Sequence, residues 1–219
     1  MTDMRRAEPE VPFQPTLQHR MGLADEVWRE IAPFLAQEGI EEGGAPTDLA
    51  TLQQAFDRAV ERANLARFTP TGPIRSATAD TLRNAVEALA DDDSARAGAI
   101  LDAVGPEPTE ASPATVAGCI GVALDLLDEW LSGRELRTPA DLTRHVRPPA
   151  GHWQGKNSAT DILALAAKDK AFRNVQALIT RHGGMRVLYG SVLALAATLD
   201  SWSRSTGTPI ADLARDTMR

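Results

Sequence analysis

Two stretches of this chain read almost alike: LLDEWLSGRELRTPADL at 126–142 and TLDSWSRSTGTPIADL at 198–213. With Trp130 laid over Trp202, Leu127 falls on Leu199, Asp128 on Asp200 and Gly118 on Gly190. After a two-residue gap Thr138-Pro139 meets Thr208-Pro209. One further shift aligns Ala140-Asp141-Leu142 with Ala211-Asp212-Leu213 and Arg144 with Arg215. Upstream, past the longer loop GPEPTEAS of the first stretch, Asp91, Ala99 and Gly105 match Asp169, Ala177 and Gly183. Matches that keep one order, with gaps at turns, point to a helical unit used twice, over about 79–146 and 158–219.

The shared phrase has a physical logic. Trp and Leu at helical spacing close the apolar face of a long helix, and a Gly or Arg/Ser stretch then breaks the period. Thr138 and Thr208 stand where an N-cap hydroxyl would accept from the free N–H groups of the next helix. Pro139 and Pro209 then take the first helical position, where a missing N–H costs nothing. Asp141 and Asp212 put negative charge into the first turn, where the helix dipole favours it. SPAT at 112–115 carries the same Ser-cap, Pro-first pattern.

Helices are expected near 22–38, 47–67, 77–90, 93–104, 113–132, 139–146, 159–168, 170–182, 185–205 and 209–217, with Pro33 as a kink in the first. Leu49, Leu52, Phe56, Ala59, Val60 and Ala63 share one stripe of the second. No segment alternates apolar and polar residues with β-branched enrichment, so the chain reads as all-α. The expected architecture is a helical bundle of two divergent repeats preceded by two N-terminal helices. Its divisions are a disordered tail over 1–14, N-terminal helices over 15–76, an acidic first repeat over 77–146, a linker loop over 147–157 and a mildly basic second repeat over 158–219. FTPTGPIRS at 68–76 and RPPAGHWQGKN at 147–157 are the two expected non-helical joints. A chain of 219 residues can bury roughly 70% of its unfolded surface. With 5% aromatic residues and abundant Ala and Leu, the core should be small side chains between close-packed helices.

Composition narrows the setting. No apolar run reaches the eighteen or so residues of a membrane span, and the first fifteen residues lack the apolar region of a secretory signal. The single cysteine, Cys119, excludes an intrachain disulfide and suits a reducing cytoplasm. It lies on an apolar stretch, as a buried thiol would. The Ala- and Arg-rich composition resembles that of proteins from high-GC bacteria.

Charge is unevenly spread. The net −7 combines −11 over residues 1–150 with +4 over 151–219. The 79–146 unit has five basic and thirteen acidic residues, the 158–219 unit eight and five. Opposite signs could draw the units together, within the chain or across a homo-oligomer, or could present a surface to an acidic partner. The candidate surface is Lys156, Lys168, Lys170, Arg173, Arg181 and Arg186, with Trp153 just ahead of them on a Pro/Gly loop. Trp153 either plugs the seam between the units or anchors a partner. NVQALITRHGGMRVLYGSV has a loose helix–turn–helix character, but its glycines fall out of register and the region is only mildly basic.

Signatures of chemistry are sparse. In GHWQGKNSAT only three residues separate Gly151 from Gly155 where a phosphate loop has four, and Asn157 takes the Ser/Thr position. Asp91, Asp92 and Asp93 form an acidic turn of the kind that starts helices, without a second acidic set to complete a metal site. His19, His145, His152 and His182 are too scattered for zinc. No nucleophile elbow or dinucleotide fingerprint is present. We therefore expect no cofactor, no metal and no catalytic residue. The leading expectation is a cytoplasmic protein–protein interaction module: a regulator, adaptor or assembly component that self-associates or binds a protein partner. A nucleic-acid-binding regulator using the basic repeat is the alternative, and an α-helical enzyme without a recognisable motif the third.

Overall fold

The computed structural model describes residues 18, 22, 24–40, 49–109, 112–132, 139–148 and 153–218. The expected tail over 1–14, the Thr138 cap, His19 and His152 lie outside them. The described residues form ten helices and no strand: α1 (Asp25–Gln37), α2 (Leu49–Phe68), α3 (Gly72–Ala90), α4 (Ser94–Asp102), α5 (Val116–Leu131), α6 (Pro139–His145), α7 (Lys156–Ala166), α8 (Val175–His182), α9 (Gly184–Thr206) and α10 (Ile210–Thr217). The chain is all-α. No described helix is long and apolar enough to cross a membrane.

The chain divides into two compact units, 1–60 and 61–219, with the boundary inside α2. In the first, Ile31 and Leu35 of α1 are buried and Arg58 pairs with Glu38 at 2.6 Å. The second holds the main core, whose centre is the pair α5 and α9. These two helices pack on each other, and α3 and α7 each pack on both. The short helices then cross over: α6, which follows α5, lies on α7, and α10, which follows α9, lies on α3.

Several local features explain this packing. Gly121 of α5 sits against the Phe68 carbonyl, and a Cβ there would collide with backbone. Gly155 and Gly190 meet in the same manner where α7 starts beside α9. Buried hydroxyls inside helices satisfy themselves on the preceding turn: Thr78 on Ile74 O, Ser191 on Val187 O and Thr198 on Ala194 O, each at 2.8 Å.

The joints α3–α4 and α7–α8 share one conformation. Asp92 (φ 59°) and Asp169 (φ 56°) are the non-glycine residues in the left-handed region among those described. Each is followed by a six-residue closure, Asp93 N–H to Ala88 O at 2.9 Å and Lys170 N–H to Leu165 O at 3.1 Å. Aspartate is among the few residues that tolerate this turn. The structural register thus sets Asp92, not Asp91, opposite Asp169.

Other details differ from expectation. The 68–76 stretch is not a continuous joint, because α3 already begins at Gly72, with Pro73 in its first turn. Thr115, not Ser112, caps α5, its hydroxyl accepting from Gly118 N–H at 3.0 Å. Thr208 does not cap α10: the helix starts at Ile210, and the Pro209 carbonyl receives the first N–H groups, from Asp212 and Leu213.

Candidate functional site

The basic residues singled out in the sequence fall into two groups. Lys156 opens α7, whereas Lys168 and Lys170 follow its far end; eleven residues of helix put roughly 16 Å between them. Two members are already matched by carboxylates. Arg173 pairs with Glu61 at 3.2 Å and Arg181 with Asp161 at 3.1 Å, an aspartate that also meets His182 Nε2 at 2.9 Å. Arg186 joins Trp153, Gln154, Asn157, Ser158 and His182 around an open cleft of about 330 Å³. The structure therefore gathers Trp153 and Arg186, with Lys156 next to them in the chain, and leaves Lys168, Lys170 and Arg173 at the other end.

Trp153 is half-buried. Its ring packs on Tyr189 of α9 (centroids 4.7 Å apart) and its Nε1–H donates to the Tyr189 carbonyl at 3.4 Å. Tyr189 in turn donates its hydroxyl to Asp102 at 2.7 Å. Burial, and then the bond to Asp102 and its charge, push the phenol up to about 12. The neighbouring GKNS stretch is a helix seat: Ser158 Oγ donates to the Arg186 carbonyl at 2.6 Å, beside the Gly155–Gly190 approach.

Each of the two left-handed joints borders a cleft, and the two clefts differ. At α7–α8 the carboxylate of Asp128, on α5, closes the turn. It accepts from Ala171 N–H at 3.0 Å and Phe172 N–H at 2.7 Å, while Phe172 itself is buried. Burial pushes the Asp128 carboxyl up to about 6. The two N–H donors oppose this, and Asp169 and Asp125 add to it. Glu61, Asp125, Glu129, Asp169 and Arg173 line what space remains, about 180 Å³.

At α3–α4 the arrangement is open. Asp200, which the sequence alignment sets opposite Asp128, turns instead to Arg204 (3.0 Å) and His145 (3.5 Å). In the register of Asp92 and Asp169, Ser94 and Ala95 stand where the other joint has Ala171 and Phe172. Phe172 is buried and lines the cleft at its joint, whereas Ala95 is exposed. What remains is a cleft of about 580 Å³, floored by Leu89, Leu193, Ala196, Ala197 and Ile210 and rimmed by Asp92, His145, Arg147, Asp200 and Arg204. Among the described residues Arg147 is exposed and pairs with none.

Known proteins offer no guide to it. No protein-family model, curated protein or solved structure matches the chain. The site is read from its own geometry, which sets a few apolar side chains beneath a mouth rich in charged groups. Among the described residues no group of three or more His, Cys, Asp or Glu could hold a metal ion. Cys119 is fully buried, and burial pushes its thiol up to about 12, far from a reactive thiolate.

Sequence reasoning missed this cleft. Its signal is a difference between corresponding positions, Ala95 against Phe172 and Ser94 against Ala171. That difference is visible only after Asp92 is matched with Asp169.

Proposed function

We propose that the chain is a binding module of the kind regulators, adaptors and assembly components use, made of two copies of one four-helix unit, 77–146 and 158–219. Its working site is the cleft between α3, α6 and α9. One observation carries the reading: the two left-handed joints share a backbone, yet one is plugged by Asp128 and Phe172 and the other is left hollow. A hollow of this size forgoes burial that an aromatic side chain would supply, worth about 2 kcal/mol or more. A small ligand would recover it. The packing of α6 on α7 and of α10 on α3, and the shared order of long and short helices, support the duplication. A cytoplasmic setting goes with the reading, since the lone thiol is buried and reduced.

The test is a fragment screen followed by amide NMR shifts on the full chain. Binders should perturb Leu89, Ser94, Leu193 and Ala197 together, and Ala90→Phe, which narrows the mouth at an exposed position, should abolish those shifts. Binders that perturb other surfaces only would refute the reading.

A second reading, association with a protein partner or a second copy, is favoured by Leu65 (43% exposed) and Ile74 (45%), large apolar side chains flanking the α2–α3 turn. Light scattering of the wild type and of Leu65→Glu with Ile74→Glu decides it: an oligomer dissociated by the pair supports it, and a monomer across the accessible concentration range overturns self-association.

A further inference from the structure

The binding-module reading above leaves the occupant open. Resting on that reading, we infer that the cleft takes a small amphipathic monocarboxylate, its apolar body on Leu89, Leu193 and Ala197 and its carboxylate at Arg147. Three features of the cleft select this class.

The first is size and floor. About 580 Å³ suits a small organic molecule, and the side chains of Leu89, Leu193 and Ala197 give it an apolar floor. The second is charge. Asp200 already holds Arg204 and His145, so its own charge is answered inside the cleft. Arg147 is the cation left over, an exposed guanidinium whose planar donors match a carboxylate. Asp92, also on the rim and exposed, disfavours a second negative charge, so a monoanion fits better than a dianion. The third is the filled counterpart. At the α7–α8 joint the chain itself lines the cleft with a carboxylate and a ring, Asp128 and Phe172. The hollow joint has no such ring, and its own Asp200 is taken up by Arg204 and His145, so a ligand would supply the apolar body there and bring its carboxylate to Arg147.

Calorimetric titration of the full chain at neutral pH and low salt tests this with phenylacetate and phenylacetamide, equal in shape and different in charge. The acid should bind and the amide should bind about tenfold more weakly, the loss of one charge-assisted contact. Arg147→Glu, a substitution at an exposed position, should weaken the acid by about tenfold or more and leave the amide unchanged. Raising the salt should weaken the acid alone. Equal binding of the two probes, both abolished by Ala90→Phe, would overturn the carboxylate assignment while the cleft remained the site. Failure of both probes to bind would overturn the assignment too, and the fragment screen would then judge the cleft itself. Binding indifferent to Ala90→Phe would sink both.

Discussion

The indole rings of Trp130 and Trp202 lie with their centroids 5.2 Å apart and their planes tilted by 54°, at the ends of the two central helices. Both are buried, at 3% and 7% exposure, so each ring is a large part of the other's surroundings. Tilted aromatic pairs add about 0.5–1.5 kcal/mol beyond the area they bury. A double-mutant cycle with Trp130→Phe and Trp202→Phe, read by denaturant unfolding, should return a coupling in that range. Additive single effects would mean that the rings are mere neighbours.

Asp128 makes stability depend on pH. Its carboxyl is raised from 3.8 to about 6, chiefly by burial. The folded chain therefore holds a proton that the unfolded chain has released. This contribution is fully present below about 4 and is lost as the pH rises through about 6. Asp128→Asn cannot titrate, though it gives up one acceptor for the two N–H donors. The wild type should thus lose ground to Asp128→Asn by about 2–3 kcal/mol between pH 4 and pH 7. A pH-independent difference would show that the two N–H donors hold the carboxylate in its ordinary range.

Close helix approach leaves no room for a side chain at Gly155 and Gly190, as at Gly121. A Cβ on Gly190 would meet the Ser158 hydroxyl and the Ala159 amide, and one on Gly155 would meet Gly190 backbone. Since backbone cannot swing aside, Gly155→Ala and Gly190→Ala should each cost about 3 kcal/mol or more. Gly207→Ala should be milder, about 1 kcal/mol, because open space surrounds it and its cost is the φ of 74°. Thermal unfolding of the three variants checks the order.

The caps separate two threonines that look alike in sequence. Thr115 accepts from Gly118 N–H, so Thr115→Ala should cost about 1 kcal/mol. Thr208 caps nothing, and Thr208→Ala should stay within about 0.5 kcal/mol of the wild type. Equal losses would place the α10 cap back on Thr208.

Helical periodicity was readable over nearly every element because the chain's apolar residues recur at three and four, as in α5 and α9. Boundaries failed where distant groups decide them. Residues 171–174 read as part of a helix from 170, yet α8 begins at Val175, because Asp128 holds the Ala171 and Phe172 amides in a turn that local sequence does not encode. Thr208 failed for a different reason, since Pro209 is as comfortable just outside a helix as in its first turn. For the site, nearness in sequence misled. Lys156 and Lys170 are fourteen positions apart, and α7 carries them to opposite ends. Arg173 and Arg181 spend their charge on Glu61 and Asp161, carboxylates 112 and 20 positions away. A cleft assembled from α3, α6, α9 and α10 leaves no motif.

The crossing of α6 onto α7 and of α10 onto α3 bears on how the chain is made. While the ribosome is still translating residues beyond α6, that helix has no α7 to rest on and α3 has no α10. The apolar faces of the first half then stand open to water for as long as synthesis lasts. Completion of this core waits on α10, so the protein should depend on its nascent chain being shielded in the meantime.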